Sequence, residues 1–307
     1  MIALLLFACG TPAPVAGGAV VRPVTVALNW FPEPEFGGIY EAELGGAYEQ
    51  AGFDVTIQAG GAGAPVIPQV ATGRVAFGVA MADEVVLARA QGANVVAVFA
   101  TYQQSPRCIL VHAARGLTDL SQLTSGTLAL EEGVPDAQWI TKKYGFAGVQ
   151  RVPFGGGVTQ WMLDPNYAQQ AFVTSEPLVA KRGGGDPQCL MVSDTGYNPY
   201  ANVLITSGAL IHDDPGLVDS FVAATKKGWA AYLADPARGN AEIAKLNPAL
   251  TADMLAEMAA AQAPLVTSPT GLGSMERARW ETLVGQLQEI GSLATAVPPD
   301  DLFRSVP

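Results

Sequence analysis

The sequence predicts an α/β protein of two parallel-sheet lobes joined by a two-strand hinge, with a helical C-terminal part packed on lobe one. Three observations predict it. Short β-branched runs alternate with helix-like segments from Val24 onward, the pattern of parallel strands joined by crossover helices. A second alternating set follows, flanked by extended runs at 107–112 and 202–206, so the chain crosses to a second lobe and later returns. Beyond Pro215 the pattern becomes almost wholly helical.

In lobe one, residues 24–28, 54–58, 75–80 and 95–101 read as strands, and 39–51, 65–72 and 84–90 between them as helices. In the second, smaller lobe the strands are 127–130, 150–154, 171–174 and 188–192, with helices at 135–144, 158–163 and 176–181. The C-terminal helices are 215–234, 237–246, 252–261 and 274–290, separated by Pro and Gly breaks. These should pack back on lobe one, which gives 24–108 plus 203–307 for lobe one and 109–202 for lobe two.

Open sheets bind ligands at the carboxyl ends of their strands, so the loops there are read one at a time. The first, Asn29-Trp-Phe-Pro-Glu-Pro-Glu-Phe-Gly-Gly-Ile-Tyr40, runs from a strand directly into a helix. It holds the aromatics Trp30, Phe31 and Phe36, the carboxylate Glu35, stiffening prolines, and a Gly37-Gly38 pair that lets a ligand approach a helix N-terminus. Trp30 and Phe31 read as a ligand platform; the alternative is that either ring is core. Ala59-Gly-Gly-Ala-Gly63 presents bare amides around Gly61, or is a flexible connection, and lacks the Gly-Lys-Ser/Thr ending of a phosphate loop. Met81 and Asp83 follow at another strand end, where Asp83 also suits an N-cap. Tyr102 and Gln103 place a ring and an amide at the hinge, suited to a heterocycle edge.

Lobe two offers Glu131-Glu132, of which at most one faces a ligand on an extended segment, taken as Glu132. Gly156 in a triple-glycine turn, Glu176 and Tyr197 complete the candidates, with Ser175 read as an ordinary N-cap. These loops carry Glu33, Glu35, Asp83, Glu84, Glu131, Glu132, Asp136 and Glu176 against one nearby cation, Arg107. That balance disfavours a free anion and favours an aromatic, hydrogen-bonding, neutral or cationic ligand.

The chain of 307 residues carries 49% hydrophobic and 15% charged residues and a net charge of −11. With no basic cluster, a nucleic-acid partner is excluded. No Cys-x-x-Cys or Cys/His cluster suggests a metal, and no cofactor is expected. Cys108 and Cys189 either bridge or remain two buried thiols. Gly-x-Ser-x-Gly is absent, and no cysteine pairs with a plausible histidine, which argues against a hydrolase. His112 and His212 read as structural.

Asn29-Trp-Phe-Pro-Glu-Pro, Gly38-Ile-Tyr-Glu-Ala, Gly46-Ala-Tyr-Glu-Gln-Ala-Gly-Phe-Asp-Val55, Val70-Ala-Thr-Gly-Arg-Val-Ala-Phe-Gly-Val79, Ala171-Phe-Val-Thr-Ser-Glu-Pro177 and Gly196-Tyr-Asn-Pro-Tyr-Ala-Asn-Val-Leu204 occur in this order. Together they resemble the periplasmic solute-binding proteins of the nitrate/sulfonate/taurine and thiamine-pyrimidine-precursor group, from about Val24 nearly to the C-terminus. The resemblance implies a type II periplasmic-binding-protein fold, a hinged interlobe cleft holding a small-molecule ligand, and an ABC permease and ATPase as partners. Asn29-Trp-Phe-Pro points to the pyrimidine-precursor binders, with riboflavin, taurine/sulfonate and nitrate as other ligands. The fungal pyrimidine synthases of the group need iron, a histidine and a cysteine-rich motif, and this chain lacks that motif. A ligand-sensing role would use the same fold.

Leu4-Leu-Leu-Phe-Ala-Cys9-Gly10 resembles the lipobox of bacterial prolipoproteins, which makes Cys9 the lipidated mature N-terminus and 1–23 a signal and tether. A merely hydrophobic start with an incidental cysteine is the alternative. The lipid would then be the only membrane attachment, at the periplasmic or cell surface.

Overall fold

The computed structural model describes residues 21–306, so Cys9 and most of the expected signal and tether lie outside the described residues. In chain order the strands are β1 (Arg22–Ala27), β2 (Phe53–Gln58), β3 (Phe77–Ala80), β4 (Val95–Tyr102), β5 (Arg107–His112), β6 (Gly126–Leu130), β7 (Val149–Pro153), β8 (Tyr167–Phe172), β9 (Pro187–Met191) and β10 (Ala201–Ser207). They form two five-stranded sheets, ordered β2-β1-β3-β10-β4 and β7-β6-β8-β5-β9.

The sheets are mixed, not wholly parallel as expected. β10 runs antiparallel to β3 and β4, and β5 runs antiparallel to β8 and β9. Each is the first strand laid down after a crossing between lobes, so no crossover helix forces it parallel. Both occupy the fourth place in their sheet, and the two lobes repeat one topology. The runs at 107–112 and 202–206, expected as the hinge, are therefore inner strands, and the crossings are 103–106 and 196–200.

The helices are α1 (Gly37–Leu44), α2 (Ala47–Gln50), α3 (Val66–Ala71), α4 (Ala82–Ala90), α5 (Pro135–Tyr144), α6 (Thr159–Leu163), α7 (Glu176–Arg182), α8 (Gly208–Asp213), α9 (Pro215–Ala234), α10 (Ala237–Leu246), α11 (Ala252–Val266) and α12 (Arg277–Glu289). The single helix expected over 39–51 breaks into α1 and α2 because Gly46 takes a left-handed φ of 70°. Helix α11 continues past 261 and through Pro264, since Leu265 and Val266 are buried in the core. In that last turn Gln262, also buried, accepts from Tyr102 Oη and donates to the Pro34 carbonyl.

Helices α9 and α10 pack on α1, and α12 packs against α4, so the C-terminal helices cover lobe one as expected. The lobe-one core centres on Phe221 of α9, stacked on Phe77 at 4.0 Å and Tyr48 at 4.6 Å between centroids. In lobe two a Cys108–Cys189 disulfide joins β5 to β9, with a Cα separation of 5.5 Å. His112 is structural: its ring stacks on Trp161 at 3.7 Å and Nε2 donates to the Trp161 carbonyl at 2.9 Å. His212 lies exposed beside Asp213. No described helix is long and apolar enough to cross a membrane, and the described residues hold no metal-ligating cluster.

Candidate functional site

Two loops from opposite lobes meet at the strand ends. The loop after β1 carries Trp30, Phe31, Glu33 and Glu35, and the start of α7 brings Ser175 and Glu176 to it. Ser175 Oγ donates to Glu33 Oε2 at 3.3 Å, and Arg182 of α7 pairs with Glu257 of α11 at 3.0 Å. The lobes thus touch across the cleft. Ser175 occupies the N-cap position of α7 without capping it, because its hydroxyl serves the other lobe.

Glu33, Glu35 and Glu176 sit close enough to alter one another's protonation. Burial, then Glu176, pushes the Glu33 carboxyl up to about 7. Burial, then Glu33, raises Glu35 well above the usual carboxylate range, and burial raises Glu176, whose Oε2 accepts from the Phe172 amide at 2.8 Å. Beside them lies a second acidic group around Arg107, which pairs with Asp136 at 3.5 Å and lies over the Phe172 ring at 5.4 Å. Burial opposes the Arg107 charge, yet Asp136 and Asp83, then Glu131 and Glu84, hold the guanidinium more firmly protonated than usual. Burial and Glu84 push Asp83 up to about 6, and its Oδ2 accepts from Tyr197 Oη at 3.0 Å. Carboxylates outnumber the guanidinium they share, so a cation or a hydrogen-bond donor entering this cleft relieves repulsion and an anion adds to it.

Several sequence-level candidates meet here. Trp30 and Phe31 are not core: they are 41% and 51% exposed and pack edge to face at 5.3 Å. Phe31 rests on Gly61, where a Cβ would come within 3.1 Å of its ring. Glu35, Asp83, Glu176 and Tyr197 belong to the acidic groups; Tyr102, near enough to feel Glu35 and Glu33, is instead 0% exposed in the lobe-one core with its hydroxyl donated to Gln262 at 3.0 Å. Met81, half-buried, packs against the lobe-one core at the head of α4.

Others are corrected. Phe36 is 0% exposed and part of the lobe-one core. Gly37 and Gly38 admit α9, not a ligand: a Cβ would fall 2.1 Å from Tyr232 at Gly37 and 2.2 Å from Trp229 at Gly38. Asp83 does not cap α4; Met81 holds the cap position, and its amide donates to Glu84 Oε2 at 2.9 Å. The Gln103 amide nitrogen donates to the Ala100 and Ser274 carbonyls and is committed to the crossing. Of the adjacent pair, Glu131 and not Glu132 acts on Arg107 and Glu84. Gly156 is exposed in a left-handed turn, φ 82°, where the backbone conformation by itself calls for glycine.

Two residues escaped sequence reasoning. Asn202 of β10 is 1% exposed with φ 47°, and neither Nδ2 nor Oδ1 finds a partner of ordinary geometry, although its amide lies near enough to Glu35 to lower that pKa. Arg279 of α12 donates to the carbonyls of Gln103, Asn198 and Pro199 and lies 3.9 Å over the Tyr200 ring, so one guanidinium holds both crossings. Neither stands in a strand-end loop. Two surface depressions of about 290 and 320 Å³ border α12 away from the carboxylates; they lack the convergent buried acids and the aromatic platform that mark the cleft.

Comparison with known proteins agrees with this fold. A family model described as NMT1/THI5 like matches residues 33–239. The riboflavin-binding protein RibY of Chloroflexus aurantiacus is 27% identical over 259 residues, 77% of this chain and 73% of that protein. The 4-amino-5-hydroxymethyl-2-methylpyrimidine phosphate synthase THI11 of Saccharomyces cerevisiae is 25% identical over 250 residues, 75% and 73% of the two chains. Among solved structures, the periplasmic aliphatic sulphonate binding protein SsuA of Escherichia coli superposes with a TM-score of 0.73 at 13% identity, covering 93% of each chain, which shows the periplasmic-binding-protein fold.

Proposed function

The chain belongs to the NMT1/THI5-like family, and from that premise we propose that it is the solute-binding component of an ABC importer, capturing a small nitrogen heterocycle of the aminopyrimidine type between its lobes. The observation that carries this reading is the convergence of Glu33, Glu35 and Glu176 from two lobes beside the exposed rings of Trp30 and Phe31. Buried carboxylates accept N–H donors and favour positive charge, and an aromatic face stacks a flat ring. Sulfonate and nitrate offer acceptors alone.

Riboflavin is the second reading, favoured by the similarity to RibY over 77% of the chain. An enzymatic role like that of THI11 has less support, because the cysteine-rich motif expected of the pyrimidine synthases is not in this sequence. In this proposal the ligand closes two lobes, 22–102 with 201–306 against 107–195, so the expected boundaries at 108/109 and 202/203 move to leave β5 and β10 whole, and the flexing lies in 103–106 and 196–200. Delivery to a permease and ATPase follows from the importer role.

A thermal-shift series with 4-amino-5-hydroxymethyl-2-methylpyrimidine, riboflavin, taurine and nitrate tests the reading, because a ligand that binds only the folded state raises the melting temperature. The aminopyrimidine should raise it, and neither nitrate nor the zwitterion taurine should. A shift with taurine alone contradicts it. Lipidation at Cys9 belongs to the same proposal: a clickable fatty acid should label the wild type in cells and leave Cys9→Ser unlabelled.

A further inference from the structure

Helix α7 of lobe two is fastened to lobe one at both of its ends. Just before its first residue Ser175 Oγ donates to Glu33 Oε2 at 3.3 Å, and at its last residue Arg182 reaches Glu257 of α11. The second contact is two-pronged: Nη2 lies 3.0 Å from Oε1, and Nε donates to Oε2 at 3.3 Å. A guanidinium fork set on a carboxylate in this way fixes direction as well as distance. Complementing the α7 dipole does not account for the contact, since Lys181 already stands in the same last turn. Glu257 in turn has no counter-charge on its own helix, because α11 carries neither Lys nor Arg.

The pair stands away from the hinge. Helix α11 ends at the first crossing, where the Leu265 carbonyl accepts from the Gln103 amide at 2.8 Å and the Gln104 amide at 3.1 Å. Glu257 lies eight residues earlier, about 12 Å along the helix from that anchor at ~1.5 Å per residue. A rotation that opens the cleft about the crossings therefore carries Arg182 away from Glu257 by ångströms, and neither prong survives such a stretch. Arg279 and Gln286 of α12, by contrast, hold carbonyls of the crossings themselves. A contact made in the closed form and lost in the open one favours closure by its own free energy.

We propose that the Arg182–Glu257 pair is a latch that biases the cleft towards its closed form before a ligand arrives; this rests on the two-lobe closure proposed above and not on the identity of the ligand.

Spin labels on Leu163 of α6 and Leu246 of α10, both exposed, report the separation of the lobes. They enter as Leu163→Cys and Leu246→Cys, with Cys9→Ser and the Cys108–Cys189 disulfide retained. Distance distributions are compared for this labelled parent, for Arg182→Glu, for Glu257→Arg and for the double exchange, each with and without 4-amino-5-hydroxymethyl-2-methylpyrimidine. In the free protein at low salt, each single reversal should raise the ratio of open to closed form by about two- to five-fold, the scale of a partly exposed ion pair. The double exchange should restore the parent ratio, and high salt should bring all four together. Melting temperatures should differ little, because both side chains are partly exposed. Distributions that the reversals leave unchanged overturn the latch; the closure reading then stands if the pyrimidine still shortens the separation, and falls with it if the pyrimidine does not. Reversals that open the cleft without rescue by the double exchange show two charges acting separately, which also overturns the latch.

Discussion

Ser175 Oγ donates to Glu33 Oε2 at 3.3 Å, tying the first turn of α7 in one lobe to the loop after β1 in the other. The acceptor is a carboxyl whose pKa burial and Glu176 push to about 7. The contact therefore has a pH dependence whose sign can be worked out. Glu33 titrates near 4.5 when unfolded and about 7 when folded, so between these values the folded form binds more protons. Stability present at low pH is lost as pH rises through that window. Asp83, raised from 3.8 to about 6, adds a loss of the same sign at lower pH. The ligand-free protein should melt at progressively lower temperature from pH 4.5 to 7, and Glu33→Gln should flatten the decline. Melting curves that rise equally in both proteins across this window would refute the assignment.

Trp30, 41% exposed, contributes little to the core. Replacing Trp30 with Ala should cost about 1–3 kcal/mol of heterocycle affinity through the lost stacking face. The melting temperature of the free protein should stay nearly unchanged. Unfolding of the variant, with affinity intact in the folded remainder, would show the ring to be structural.

Gly38 makes the opposite case. A Cβ there would lie 2.2 Å from the Trp229 ring, and Gly228 of the facing helix is equally tight against the Gly38 carbonyl. Gly38→Ala should destabilise the fold by about 1–3 kcal/mol through overpacking. Denaturant titration reads this directly, and ligand affinity in the folded fraction should be unaltered.

Arg279 is the residue through which the hinge can be probed. Its guanidinium serves carbonyls of both crossings, so Arg279→Ala leaves acceptors of Gln103, Asn198 and Pro199 without their donor. A loss of about 1.5–3 kcal/mol of stability is expected from charged hydrogen bonds. Solution scattering should also show a broader range of interlobe openings in the free variant. An identical scattering profile, with only a lower melting temperature, would make Arg279 a staple of α12 alone.

Much of this architecture is written in periodicity. The helices at 135–144, 215–234 and 237–246 begin and end where Pro, Gly and apolar spacing place them. The strand over Tyr167–Phe172 begins earlier than its apolar run because Gln169 and Gln170 interrupt it; both are buried, with Gln169 bonded to the Gly157 carbonyl and Gln170 to the Glu131 amide. Strand direction was illegible for a different reason: β5 and β10 look like any apolar run, and only the crossings before them reverse their sense. At the site, the strand-end rule reached Trp30, Glu35 and Glu176. It missed Asn202, buried within a strand beside Glu35, and Arg279, which holds both crossings from a distant helix. It misjudged Gly37 and Phe36 because a loop sequence does not reveal which helix will settle on it.

The cleft, rich in carboxylates and poor in cations, should select a nitrogen heterocycle over nitrate and over the sulfonates that the similarly folded SsuA binds. Isothermal titration at low ionic strength, where charge effects are least screened, tests it most directly. Titration with 4-amino-5-hydroxymethyl-2-methylpyrimidine should give saturable heat, and titration with ethanesulfonate and nitrate should give none above dilution. Micromolar binding of either anion, with no heat from the heterocycle, would contradict the account.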